Sequence, residues 1–263
     1  MPLSTEPGTR GAPHARWPEG VGRRVLDEVD STNAEAARLA AGALLRPQWV
    51  LALRQTAGRG RQGRAWTHPE GNFAATLALP LSDAPDRLAL RSFVASLALF
   101  DALVALSGRA APFSLKWPND VLANGGKLAG ILLESPRPGV LLIGIGVNLR
   151  GVPADAEGVP GRPGAHPPVS LLEVAGVAPG PEEFLDVLAP AFGARERQFA
   201  ARGFAPIRAQ WLSRAARLGR TVTACPGSDA AVTGRFETLD AQGRLVLSTA
   251  QGRRVIPAAD VYF

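Results

Sequence analysis

The chain has 263 residues, enough for one large domain or two modest ones. At 46% hydrophobic and 20% charged it has the makeup of an ordinary globular protein, which excludes a collagen-like or disordered chain. No uninterrupted apolar run reaches the roughly 18 residues of a membrane span. The net charge of +6 comes from 29 basic against 23 acidic residues, and among the basic ones only Lys116 and Lys127 are lysines. An Arg preference of that strength reads as background, so a Lys that persists within it points to a task that guanidinium does not suit.

The single cysteine, Cys225, excludes an internal disulfide framework or a multi-cysteine metal site and fits a reducing compartment, so a cytoplasmic protein is expected. Residues 1–20 are rich in Pro and Gly, have no apolar centre, and read as a disordered tail rather than a signal peptide. The histidines His14, His68 and His166 are far apart in sequence, which argues against a histidine metal cluster.

In chain order, Arg24–Val29 reads as a short strand. Asp30-Ser31-Thr32-Asn33 then opens an Ala-rich helix, with Thr32 and Glu35 at capping-box spacing and Gly42 suited to its end. Trp49–Gln55 has the branched apolar character of a buried strand and runs directly into a loop containing Gly58, Arg59, Gly60, Arg61, Gly63 and Arg64. Residues 72–81 predict a further strand, and Arg87–Leu106, apolar nearly all round, a long helix buried on more than one side.

Residues 113–135 predict two strands joined by a tight turn at Asn124-Gly125-Gly126, followed by a strand over Val140–Asn148. Residues 151–169 read as a long Gly/Pro loop, functional or mobile. Helices are expected at 181–202 and 204–218, and four short strands from Gly219 onward predict a small all-β module.

Four segments carry candidate chemistry. Gly58–Arg64 follows a strand, so its glycines allow close backbone approach while its arginines offer planar forks of donors to phosphate or carboxylate. It lacks the Gly-Lys-Ser/Thr ending of a Walker loop, and an Arg-rich surface loop or a nucleic-acid patch remains open from these residues alone. Both lysines fall within twelve positions, in Lys116-Trp117-Pro118-Asn119-Asp120 and Lys127-Leu128-Ala129-Gly130, where an edge charge and simple turn formers are the plain alternatives. Asp30–Asn33 is explained equally well as a helix cap. Asn148 ends an apolar strand as Gly144-Ile145-Gly146-Val147-Asn148, where it faces a pocket or begins a turn.

In content and order, DSTN (30–33), Gln55 to Trp66, KWPND (116–120), KLAGIL (127–132) and IGIGVN (143–148) resemble the biotin protein ligase family over roughly residues 24–150, with a looser likeness in the C-terminal module. The resemblance implies an α+β fold: a disordered tail over 1–20, a mixed-sheet catalytic domain of the biotin/lipoate ligase type over 21–216, and a small SH3-like β-barrel over 217–263. It implies a biotin–[biotin carboxyl-carrier protein] ligase that uses ATP, with Mg2+ accompanying the ATP, to make biotinyl-5′-AMP. The biotin then passes to a lysine of the biotin carboxyl carrier protein of acetyl-CoA carboxylase.

By the same resemblance Lys127 and Arg61 are catalytic, with Lys127 reaching biotin carboxyl and α-phosphate together; Asp120 is expected to be catalytic because a carboxylate beside the anhydride attracts the acceptor ammonium and takes its proton. Ser31, Thr32, Asn33, Gln55, Arg59, Gly60, Arg61, Lys127 and Gly130 bind biotin. Arg59, Arg61, Arg64, Trp66, Lys116, Asn119 and Asn148 bind ATP or the adenylate, Trp66 packing beneath the loop and Asn148 at the adenine edge. The glycine-arginine loop is then a lid that shields a hydrolysable anhydride from water.

Because DSTN begins at residue 30, the short form is expected, with no DNA partner and no membrane. Family members pair through the catalytic sheet, which leaves a homodimer open. A lipoate or octanoate ligase shares the fold but is disfavoured by the Gly-Arg loop and KWPND. A basic nucleic-acid-binding protein is suggested by the charge alone.

Overall fold

The computed structural model describes residues 16–42, 44–153, 166–226, 230–257 and 259–263. The chain folds around a seven-stranded mixed sheet in the order β1-β2-β3-β7-β6-β5-β4. Its strands are β1 (Gly22–Val29), β2 (Gln48–Gln55), β3 (Phe73–Pro80), β4 (Phe113–Lys116), β5 (Asp120–Ala123), β6 (Gly126–Glu134) and β7 (Val140–Val147). Among the described strands of this sheet β1 and β2 pair in parallel and the rest antiparallel, with the crossover helix α1 (Thr32–Ala41) between β1 and β2. The expected α+β class is borne out.

One face of the sheet packs on α3 (Arg91–Ser107), α5 (Pro181–Arg202) and α6 (Phe204–Leu212), forming the main core. On β7 the residues Leu141, Ile143, Ile145 and Val147 enter that core. Their alternates Val140 and Leu142 meet Ala36 and Ala40 of α1 on the opposite face. β3 is buried throughout because both of its faces are covered. α1 covers only part of its face, and the uncovered area beside it is where the site forms.

Several details differ from the sequence expectation. Residues 113–135 make three strands, not two, because Trp117-Pro118-Asn119 turns the chain between β4 and β5. The turn from β5 to β6 is as expected: Asn124 (φ 48°) and Gly125 (φ 82°) are both left-handed, the mirror-type two-residue hairpin. The long helix starts as a separate turn, α2 (Pro85–Ala89), before α3. Pro85–Ser107 is apolar and long enough to cross a membrane by length and composition, but most of it lies buried inside this fold.

A short α4 (Leu171–Ala175) precedes α5, and α6 ends at Leu212, short of the expected 218. Of the 151–169 loop, residues 154–165 lie outside the described residues, as do residues 1–15 of the expected tail. Trp17, within that expected tail, packs at the edge of the core, and its Nε1–H donates to the Val21 carbonyl at 2.8 Å.

The SH3-like C-terminal sheet is β8 (Thr221–Cys225), β9 (Val232–Leu239), β10 (Leu245–Thr249), β11 (Gly252–Ile256) and β12 (Asp260–Tyr262), ordered β11-β10-β9-β8-β12. β12, three residues long, was not anticipated. This sheet docks on the first: Trp117 Nε1–H donates to the Gly243 carbonyl at 2.9 Å, and Arg208 reaches the Leu239 carbonyl. That docking brings β12 to the mouth of the site.

Candidate active site

The cleft opens on the face of the sheet beside α1, over β5, β6 and β7, and is roofed by the loop after β2 and by β12. It encloses about 890 Å³ counted out to its open mouth. The structure brings Ser31, Thr32, Asn33, Gln55, Arg59, Gly60, Arg61, Arg64, Trp66, Lys116, Asn119, Asp120, Lys127 and Gly130 to its lining.

One wall is neutral. Gln55 Oε1 accepts from the Thr32 N–H at 2.8 Å and from Thr32 Oγ1 at 3.0 Å. The expected Thr32–Glu35 capping box is therefore absent. Ser31 occupies the N-cap position without capping, and Glu35 pairs with Arg38 and Arg24. The Thr32 hydroxyl points into the cleft network rather than along the helix.

Thr76 on β3, fully buried, lies with its Oγ1 2.8 Å from Thr32 Oγ1 and 2.5 Å from Asn33 Oδ1. A hydroxyl has one proton, so Thr76 donates to the amide oxygen, which has none to give, and meets Thr32 through a lone pair. Thr32 then has one proton for two acceptors, Thr76 Oγ1 and Gln55 Oε1. Asn33 Nδ2 donates to Glu134 Oε2 at 2.6 Å. These groups are fixed before any ligand arrives.

The floor is glycine because the side chains above it need the space. A Cβ at Gly144 would overlap the Asn33 amide, and one at Gly146 would overlap the Trp66 indole. Gly130 lies under the same indole, 3.2 Å from Trp66 Cζ3 to a hypothetical Cβ. Trp66 thus packs beneath the roof. The Trp66 backbone N–H bonds the Gly58 carbonyl at 2.9 Å, and the Gly60 N–H bonds the Arg64 carbonyl at 2.7 Å, folding residues 58–66 into a narrow ribbon. Gln62 (φ 56°) and Gly63 (φ 71°) turn its tip.

The other wall is charged. β5 and β6 pair as Asp120↔Gly130 and Val121↔Ala129 but then Leu122↔Lys127, so β6 holds one extra residue. That bulge turns Lys127 onto the same face as Gly130, which an unbroken alternation would forbid. Lys127 Nζ reaches Asp120 Oδ1 at 2.8 Å and lies 5.7 Å from the centre of the Trp66 ring.

Lys116, at the end of β4, approaches the other oxygen of Asp120 at 3.8 Å. Burial pushes its ammonium below the ordinary lysine range, against the attraction of Asp120. Arg61 donates to Asn119 Oδ1 at 3.3 Å, while Asn119 Nδ2 is held by the Ile131 carbonyl at 2.6 Å. Arg64 pairs with Asp260 of β12 and donates to Gln62. Arg59 lies 4.0 Å from Glu134. Among the described residues five cationic side chains thus face three carboxylates, a balance suited to a polyanion.

Asn148 is placed differently. It is buried behind the cleft, its amide donating to the Lys127 carbonyl at 3.5 Å and the Val169 carbonyl at 3.2 Å. Sequence reasoning missed Thr76, Glu134 and Asp260. Thr76 is a lone polar residue in an apolar strand and Glu134 a lone charge at a strand end, both visible signals. Asp260 comes from 196 positions beyond Arg64 and has none.

A cleft with one neutral and one cationic wall suits a small neutral ring together with a polyanion, and residues 25–150 match the Biotin/lipoate A/B protein ligase family. Residues 218–263 match the Biotin protein ligase C terminal domain. The chain is 55% identical over 243 residues to the biotin–[acetyl-CoA-carboxylase] ligase of Paracoccus denitrificans, covering 91% of this chain and 99% of that one. It is 36% identical over 251 residues to the enzyme of that name from Mycobacterium tuberculosis, covering 92% and 90%. Among solved structures, biotin protein ligase from Aquifex aeolicus in complex with biotin and ATP superposes with a TM-score of 0.78 at 27% identity, covering 91% of this chain and 98% of that one. The chain belongs to the biotin protein ligase family.

Proposed function

We propose that this protein uses ATP to activate biotin as biotinyl-5′-AMP and transfers it to a lysine of a biotin carboxyl carrier protein, in the cytoplasm, with neither DNA nor membrane as partner. The observation that carries the reading is the meeting, at Lys127 and Gly130, of a neutral hydrogen-bonding wall with a cationic one. A cyclic urea offers two N–H donors and a carbonyl, which suit Gln55, Thr32 and Ser31. A triphosphate suits Arg59, Arg61, Arg64, Lys116 and Lys127.

In the first step a biotin carboxylate oxygen bonds to the α-phosphorus as the bond to the bridging oxygen breaks and pyrophosphate leaves. Lys127 stands where carboxylate and α-phosphate meet, so its charge opposes their repulsion and the charge that builds on the phosphate oxygens. Among the described residues no group of three or more His, Cys, Asp or Glu side chains could hold a metal. The cleft carboxylates are already matched to cations, so Mg2+ would be held chiefly by the phosphates of ATP and would offset their charge. Trp66 and the Arg59–Arg64 ribbon cover the adenylate. Asn148 acts from behind, holding the Lys127 strand to the segment at Val169.

In the second step a neutral lysine amine attacks the acyl carbon, AMP departs with the C–O bonding pair, and the amine loses a proton. Asp120 takes that proton or holds the incoming ammonium, being the carboxylate nearest Lys127. Incubation of the protein with biotin, MgATP and a carrier domain should add one biotin to one carrier lysine, read by mass. No mass shift, or an equal shift with lipoate, would overturn the reading.

A further inference from the structure

His68 follows Trp66 by two residues, where the roofing loop returns toward β3. Its Nδ1 accepts the Gln55 N–H at 3.1 Å, and its Nε2–H donates to the Asn72 carbonyl at 2.8 Å. A nitrogen that accepts an N–H carries no proton, so these partners require the neutral ring with the proton on Nε2.

The ring fills a gap in the sheet. β2 pairs with β3 only from Gln48↔Ala78 to Ala52↔Ala74, after which β3 has diverged. The N–H of Thr56 bonds β1 at Val29, so alternation turns the Gln55 N–H the other way, toward the missing strand. His68 supplies the acceptor there. Beyond it, Asn72 Oδ1 accepts from the N–H groups of Arg150 (2.9 Å) and Gly151 (3.2 Å), and its Nδ2 donates to the Gly151 carbonyl at 2.8 Å. A continuous brace runs from Gln55 through the base of the loop to the segment after β7.

We propose that His68 is a positioning residue for biotin: its neutral imidazole replaces the absent strand and holds Gln55 against Thr32. This rests on the biotin reading of the cleft. Protonation puts an N–H where the Gln55 N–H already points, so the brace breaks when the ring charges. Burial holds the proton affinity of the ring below the ordinary histidine value of 6.5, opposed by the Asn72 carbonyl. The charged groups on the surrounding elements are Arg54 on β2, bonded to Glu28; Glu70 on the loop; and Arg150, which reaches the Ala178 carbonyl. None of them contributes to that lowering. With the folded-state value depressed, the brace is present above it and is lost as pH falls through it, below 6.5.

The test is the biotin dissociation constant of the full chain without ATP, by calorimetry between about pH 5.5 and 8.5. Wild type should weaken as pH falls below 6.5, by up to about tenfold once the ring is charged, the loss of one buried hydrogen bond. His68→Ala should be weaker by about the same factor throughout and flat with pH. His68→Asn, whose amide oxygen falls where Nδ1 sits, should recover most of the affinity without the pH dependence. His68→Gln, which reproduces only the donor to Asn72, should not. Rescue by Gln and not Asn, or a wild-type pH profile persisting in His68→Asn, overturns the proposal. Wild-type binding at the alkaline end tests the biotin reading separately, since it does not depend on the variants.

Discussion

The wall built from α1, β2 and β3 holds its polar atoms in bonds of 2.5–3.0 Å among neutral side chains. The wall built from β4, β5, β6 and the Gly-Arg loop gathers cations at 2.8–4.0 Å around a few carboxylates. The first resembles a mould, fixed by buried groups that would be costly to leave unpaired. The second is held by exchangeable ion pairs, which an incoming phosphate can replace without breaking the core. Binding of a neutral ring needs shape in advance, whereas a reaction that makes and expels polyanions needs charge that can follow it.

The largest expected effect lies on the charged wall. Lys127→Ala should slow biotin-dependent pyrophosphate release by at least ~10², because the proposed role of Lys127 is to serve the carboxylate and the α-phosphate together. Near-normal release in that variant would remove the division between the walls. Gly146→Ala attacks the junction. Its methyl group overlaps the Trp66 indole, so adenylate should be released to water faster and carrier biotinylation fall by about tenfold or more. An unchanged yield would mean that the indole does not form the roof. Asp120→Asn should slow transfer to the carrier more than adenylation, as seen in single-turnover measurements of each half-reaction. An equal loss in both would reduce Asp120 to a holder of Lys127.

The smallest effect concerns stability. Lys116 is 11% exposed at its side chain, and its lowered proton affinity means that the unfolded chain binds the proton more readily. The charge therefore costs stability below its folded-state value, and that cost fades as pH rises toward the ordinary 10.5. Lys116→Met should melt higher than wild type near neutral pH, with the difference shrinking in alkali. A difference that grew with pH would show the pair with Asp120, not burial, to be in control.

The same contrast explains what was legible in the sequence. The charged wall is written locally: Arg59, Arg61, Arg64, Lys116, Asp120 and Lys127 sit in short motifs whose chemistry shows in the residue types. The bulge that turns Lys127 inward is a matter of pairing and left no trace. The neutral wall is written across strands. Thr32 read as part of a capping box because local spacing allows it, but Gln55, 23 positions away, takes its hydroxyl instead. Thr76 completes that wall from β3, Glu134 on β6 links its Asn33 to Arg59 of the charged wall, and Asp260 reaches Arg64 because Trp117 docks the second sheet. Asn148 ended its strand as expected but turned to the backbone. The Gly144 and Gly146 pair was visible as a motif, and its reason, room for Asn33 and Trp66, is purely tertiary.

The most direct test of the central claim is a biotin titration of ATP–pyrophosphate exchange in Thr32→Val and Lys127→Ala. Thr32→Val should raise the biotin KM by about tenfold and leave the saturating rate nearly intact, since it removes hydrogen bonds from the ring site alone. Lys127→Ala should cut the saturating rate by at least ~10² and move the KM far less. If both variants change the same parameter to a similar extent, the two walls do not divide binding from chemistry.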